Sequence, residues 1–423
     1  MAGIDFMDKT SHATWPSALF ARCHNPAMPG FAVWRPDRPS SFVSACQGLL
    51  LPVVLLACLP AQAVDYTFQP GNMPDGCSGG NGAYTCTALT LGAGDKIVMA
   101  TGLPTVITVT NALIAGAGSQ INAQGAGNLT LKVGGLVDVG ANATVTANLY
   151  AESTVTLQDR VNFTGNITTN MAVINIGANN TVIGNLTTHV GAINTGDASS
   201  VTGNLTTTGA GVITTGAGSR VTGNLTTGAG AINTGAQSSV TGNVITQVGA
   251  VTIGGNVGGK INSLGVSEAG AVTVSASGVI SASITTGAGA VTLGAGSQSG
   301  GISTEDGAIT VGIGSSVNGS VCSNNSGAIT IGGGTTMAQA AKVAGNVISK
   351  TAGAITVGAF AQVAGAVTIL KAGAKSIAAG ALVGGSQNSS QCADTLVAAA
   401  IPSSRGALPP SIKSREWRQI FMR

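Results

Sequence analysis

Charge is scarce in this 423-residue chain: Asp, Glu, Lys and Arg together make 8% of it, where a soluble domain carries about 25%. The net charge of +3 comes largely from the two ends. With no basic cluster in the middle, nothing could neutralise a run of phosphates, so no nucleic-acid partner is expected. Aromatic residues are also scarce, at 3%. A broad globular core is thereby excluded, although length alone would allow two or three domains. After residue 63 the one histidine is His189, and no Cys-x-x-Cys pair occurs. No metal site and no cofactor is expected. What the chain does have is 64 glycines and a hydrophobic fraction of 44% built from Ala, Val, Ile and Leu. Such side chains suit a long, thin core, and their abundance with so little charge argues against disorder.

A targeting segment stands near the start. An apolar stretch within residues 46–63 ends at Pro60 and is followed by Ala61-Gln62-Ala63, with Arg35 and Arg38 upstream. This reads as a secretory signal cleaved after Ala63, and the run is short for a membrane span of about 20 residues. Retention as a membrane anchor and lipidation at Cys58 stay open as alternatives. Residues 1–45 show no periodicity and read as an unstructured leader or a misassigned start, with Met28 the better initiator. The product is expected in the periplasm, on the outer-membrane surface or outside the cell.

Of seven cysteines, four follow Ala63: Cys77, Cys86, Cys322 and Cys392. An even number suits an oxidising compartment. Cys77 and Cys86 flank a short Gly-rich loop and are expected to close it, making residues 64–103 a disulfide-closed N-terminal cap. Cys322 and Cys392 are 70 residues apart, which puts their rungs some 17 Å apart at about 4.8 Å per coil. A bond between them requires the chain after Val383 to turn back along the rod.

Residues 104–385 repeat. The motif Gly-Ala-Ile/Val begins at Gly191, Gly211, Gly230, Gly249, Gly270, Gly289, Gly307 and Gly327, in steps of 18–21 residues. It alternates with Val-x-Gly-Asn-Leu/Val, as in Val201-Thr-Gly-Asn-Leu205 and Val221-Thr-Gly-Asn-Leu225. The next step, to Gly353, is about seven residues too long, with the excess at Thr336–Lys342. A period near 19 is too short for helix-pair repeats, which need at least about 33. Apolar alternation such as Ile309/Val311/Ile313 has the period of a strand. The expected fold is all-β: a single-stranded, parallel β-helix with three short strands per coil, its hand not fixed by the repeat and right-handed only as the resemblance below implies.

Asn166, Asn185, Asn204, Asn224 and Asn243 each follow a glycine and are expected to stack as an amide ladder. Thr187-Thr188, Thr206-Thr207-Thr208 and Thr226-Thr227 would stack into a hydroxylated face of the kind ice-binding solenoids present. Polysaccharide-acting β-helices gather acids in a cleft. Here Asp138, Glu152, Asp159, Asp197, Glu268, Glu305 and Asp306 are scattered, so no enzyme is expected. The tail, 386–423, ends in a basic aromatic peptide in which Arg415, Trp417, Arg418 and Phe421 are candidates for docking a partner or touching a membrane.

The repeat pattern resembles the bactofilins, polymer-forming cytoskeletal proteins built on a right-handed parallel β-helix. The opening Tyr66-Thr-Phe68, Met73-Pro74, Gly76-Cys77 and Tyr84-Thr-Cys86-x-Ala-Leu-Thr-Leu-Gly-Ala-Gly94 is more specific. It is similar to the N-terminal repeat region of exported proteins resembling the MSHA pilus biogenesis protein MshQ. The resemblance implies a structural or assembly protein of the bacterial envelope or surface, polymer-forming or pilus-associated. Its partners would be itself, end to end or laterally, or envelope and pilus components. A surface adhesin is the alternative, with ice-binding and polysaccharide-acting roles behind it.

Overall fold

Three-residue strands separated by tight corners leave only one way to bury alternate side chains: coil the chain and stack the coils. A computed structural model describes residues 62–69, 71–99, 104–125, 128–263 and 270–385, and it is a β-solenoid of about 15 turns with about 19 residues per turn. No helix interrupts it among the described residues. The signal segment up to Ala61, Cys58 and the tail beyond 385 lie outside those residues.

Each coil contributes one strand to each of three sheets. One coil runs Ile193–Thr195, Ser200–Thr202, Leu205–Thr207. Sheet one, which takes the first of these, has 15 strands; sheets two and three, which take the second and third, have 16 each. Between coils the neighbouring strands are parallel and in register, as in Ile174↔Ile193↔Ile213↔Ile232 in sheet one. The lone antiparallel pair among the described strands is the hairpin of Cys77–Gly80 with Ala83–Cys86. At about 4.8 Å per coil the stack is roughly 70 Å long.

The interior is a set of aliphatic ladders. Sheet one supplies Ile193, Ile213 and Ile232; sheet two Val182, Val201 and Val221; sheet three Leu186, Leu205 and Leu225, all at most 1% exposed. Space for rings is short, yet Phe163 occupies the sheet-two ladder between Val145 and Val182 and is buried. The alternation ends sooner than the sequence suggests. Ile309 and Val311 point inward, but Ile313 lies past the strand end and is 55% exposed.

Two columns of special backbone run along the corners. Between sheets one and two, Asn142, Arg160, Asn179, Ala198, Gly218 and Gln237 all take φ between 54° and 65°. A Cβ at Gly218 would meet nothing within 4 Å, which is why so many residue types fit here. Between sheets two and three the opposite holds. Gly203 has φ +152°, and a Cβ there would sit 2.1 Å from the Gly184 carbonyl oxygen of the coil below. In this coil the corner demands glycine because backbone passes over backbone.

The stack starts before residue 104. Leu89–Leu91 already pairs with Leu113–Ala115 in sheet one, and Asp65–Tyr66 with Lys96–Ile97 in sheet two. The described residues of 64–99 are thus a first coil plus the hairpin, whose irregular length hides the period. Cys77 and Cys86 are disulfide-bonded across that hairpin. Phe68 is buried beside it, edge-on to Tyr84 at 5.2 Å between ring centres. The late step before Gly353 is a loop over 332–341 between sheets one and two, and the ladders resume in register at Lys342–Val343.

Candidate interaction surfaces

Polar side chains on this rod are spent mainly on its own backbone. Asn166 Oδ1 accepts the backbone N–H of Asn185 at 2.9 Å, Asn185 that of Asn204 at 2.8 Å, and Asn204 that of Asn224 at 2.9 Å. Asn224 accepts from Asn243 at 2.7 Å and Asn243 from Lys260 at 2.8 Å. The column thus works mainly as side chain to next backbone, with the amide-to-amide contact Asn204 Nδ2 to Asn185 Oδ1 longer at 3.3 Å. The unusual φ belongs to the preceding glycines, Gly165, Gly184, Gly203 and Gly223. Asn148 extends the column one coil earlier, accepting the N–H of Asn166 at 3.1 Å. It was missed because Ala147 replaces glycine before it.

The threonine pairs divide. Thr187, Thr206 and Thr226 point outward and are half-buried, while Thr188, Thr207 and Thr227 face the interior at no more than 1% exposure. The inner hydroxyls close the corner after sheet three. Thr207 Oγ1 donates to the Gly211 carbonyl at 2.8 Å and Thr227 Oγ1 to that of Gly230 at 2.6 Å. Three of the seven hydroxyls expected on the outer face therefore face inward. The sequence held this signal, since Leu205 and Thr207 are two residues apart and share a face. The longest exposed hydroxyl column is elsewhere, on sheet one: Thr252, Thr273, Thr292, Thr310, Thr330 and Thr356.

Carboxylates do not converge. Asp159 and Asp197 sit at the same corner two coils apart, accepting the backbone N–H of Ala178 at 2.8 Å and of Ala217 at 2.7 Å. Asp138 accepts from Gln158 at 3.0 Å, Glu305 from Asn324 at 2.9 Å and Asp306 from Ser326 at 3.1 Å. Glu268 lies outside the described residues. Among the described residues no three His, Cys, Asp or Glu side chains gather where they could share a metal ion. A concavity of about 890 Å3 lies beside the 332–341 loop and is lined by Ala276, Ala295, Ile313, Gly333, Thr335 and Ala359. It has shape but no titratable group.

The two ends of the stack differ. At the N-terminal end the hairpin adds an antiparallel strand to sheet three, and Phe68 is buried. At the other end Leu370, Ile377 and Leu382 are 47%, 42% and 51% exposed. Lys375 takes the core-facing place of Ile355 in the last sheet-one strand, and its Nζ lies 3.5 Å from the Val367 carbonyl oxygen. Cys322 is disulfide-bonded; Cys392 lies outside the described residues, as do Arg415, Trp417, Arg418 and Phe421. No protein-family model matches the chain, and neither the curated proteins nor the solved structures give a match.

Proposed function

We propose that this protein is a non-catalytic structural rod of the bacterial envelope or cell surface, joining other copies or envelope components through its C-terminal coil end. The observation that carries the reading is the asymmetry of the ends. A β-solenoid end is an unpaired strand edge that invites pairing. Here the N-terminal end of sheet three is extended by a disulfide-bonded hairpin with Phe68 buried beside it, whereas the last described coil leaves Leu370, Ile377 and Leu382 exposed. Two like ends meeting would form a closed pair rather than an open chain. The core-facing Lys375 makes such a joint weaker than an all-apolar one. The likeness to bactofilins and to MshQ-like exported proteins agrees with a structural role and belongs to this proposal. So does export, which rests on Ala61-Gln62-Ala63 and on the cysteines.

The test is cell fractionation with microscopy of a deletion strain, beside negative-stain images of the purified mature protein. An envelope location and rods that pair at high concentration are expected. A cytoplasmic location, or monomers at every concentration, would count against the reading. The exposed threonine column of sheet one favours a second reading, a surface adhesin using its long regular face. Binding to a glycan array, lost when Thr292 and Thr310 become Lys, would support that reading instead.

A further inference from the structure

Six coils of sheet one carry the same hexapeptide pattern, Gly-Ala-Val/Ile-Thr-aliphatic-Gly/Ser, the first at Gly249 and the last ending at Gly358. Their outward threonines, Thr252, Thr273, Thr292, Thr310, Thr330 and Thr356, lie one directly over the next, and all six are exposed. Two residues earlier stand Ala250, Ala271, Ala290, Ala308, Ala328 and Ala354, exposed except for the half-buried Ala290. No charged or aromatic residue occurs in the six hexapeptides. Among the described residues none of the six threonine hydroxyls has a partner within the protein, whereas the asparagine column and the inner threonines are committed to backbone. In the earlier coils the same register holds Asn175, Asn194, Thr214 and Asn233, which are half-buried. There Asn194 Nδ2 donates to Asn175 Oδ1 at 2.9 Å, so the uncommitted column begins at Thr252.

Neither strand propensity nor repetition accounts for this uniformity. In the same six coils the outward column of sheet two reads Asn256, Val279, Gln298, Ser316, Lys342 and Gln362. That of sheet three reads Asn262, Thr285, Ser303, Cys322, Ile348 and Thr368. Repetition of whole coils would make all three columns alike, and propensity alone admits Val, Ile or Tyr where Thr stands. One face keeps a single residue type while the other two vary.

We propose that this face of sheet one binds the surface of an ice crystal. Identical groups at identical steps suit a ligand that itself repeats. The step is about 4.8 Å from coil to coil, close to the repeat of oxygen atoms in ice, and the six rungs span about 24 Å. Methyl groups form no hydrogen bonds with water, so water over the alanine and threonine methyls bonds to itself. Each threonine hydroxyl, with one donor and two acceptor sites, pins that water at the coil spacing. The missing charge leaves an ionic surface or a polyanion nothing to pair with. A sugar polymer finds no ring to stack on and no amide or charged group to fix the direction of its hydroxyls. Ice contact goes beyond the structural role and uses the flank of the rod, leaving its ends free.

Thermal hysteresis and ice-recrystallisation assays on the purified protein test the proposal. The wild type is expected to hold the freezing point below the melting point, to shape growing crystals and to arrest recrystallisation. Thr292→Tyr and Thr310→Tyr each set a ring in the middle of the flat face and should lose most of that activity. Gln298→Tyr, exposed in the same coil as Thr292 but on sheet two, should keep it. A wild type without hysteresis or recrystallisation inhibition would overturn the proposal. So would equal activity in Thr292→Tyr and Gln298→Tyr, or glycan binding through Thr292 with no effect on ice. The wild-type measurement needs no variant, so misfolding of one does not leave the question open. Rod pairing is read separately by microscopy, so failure of either idea is distinguishable from failure of the other.

Discussion

Replacing Gly203 by Ala probes the closest approach between coils. The new Cβ would stand 2.1 Å from the Gly184 carbonyl oxygen and 2.5 Å from its carbon. Both atoms are backbone, so no side chain can swing aside and the two corners must part. The bonds that hold them are Leu186 N–H to the Asn204 carbonyl at 2.9 Å and Asn204 N–H to Asn185 Oδ1 at 2.8 Å. Losing both costs about 0.5–1.5 kcal/mol each, and backbone strain at φ +152° adds about 1–3 kcal/mol. The sum is about 4 kcal/mol, felt locally because a solenoid's stability is a sum of neighbour terms. Gly218→Ala is the control. Its φ of +65° is as unusual, but nothing lies within 4 Å of its Cβ, and Ala198 already adopts this geometry one coil away. It should cost about 1 kcal/mol. Hydrogen exchange would read the difference at the amides of Leu186, Asn204 and Leu205. Equal protection in the two variants would refute the close-approach argument.

Three further perturbations follow from the same structure. Thr207→Val removes the hydroxyl that serves the buried Gly211 carbonyl and should cost about 1–3 kcal/mol. Thr206→Val, one residue away and outward-facing, should change denaturant stability little; equal losses would contradict the inward assignment. Phe163→Ala empties the widest site of the sheet-two ladder and should cost about 3–5 kcal/mol, read as a lowered melting temperature. Replacing Cys77 and Cys86 together by Ser should destabilise the hairpin by about 2–3 kcal/mol. Hydrogen exchange should rise over residues 77–109 and stay unchanged beyond residue 186.

Most of the architecture was legible because period is a strong signal. A step near 19, apolar residues two apart and glycines at fixed offsets leave few folds to choose from. The asparagine column was equally readable, each member being marked by the glycine before it. Other features were hidden for identifiable reasons. The first coil contains a hairpin that breaks the spacing, so the stack's true start near Leu89 carries no repeat. Ile313 extends an alternation that the strand itself does not follow, since the chain has already turned at Gly312. The φ-positive corner from Asn142 to Gln237 leaves no residue signature, because its side chains point into open space.

The central claim is a rod whose associations run through one end. Electron microscopy of the mature protein over a range of concentrations tests it most directly. The account predicts particles roughly 70 Å long, at about 4.8 Å per coil, that give way to end-joined pairs of twice that length as concentration rises. Reversing the exposed apolar end with Ile377→Glu should leave single rods. Compact particles would contradict the fold, and open chains or monomers at every concentration would contradict the one-ended association.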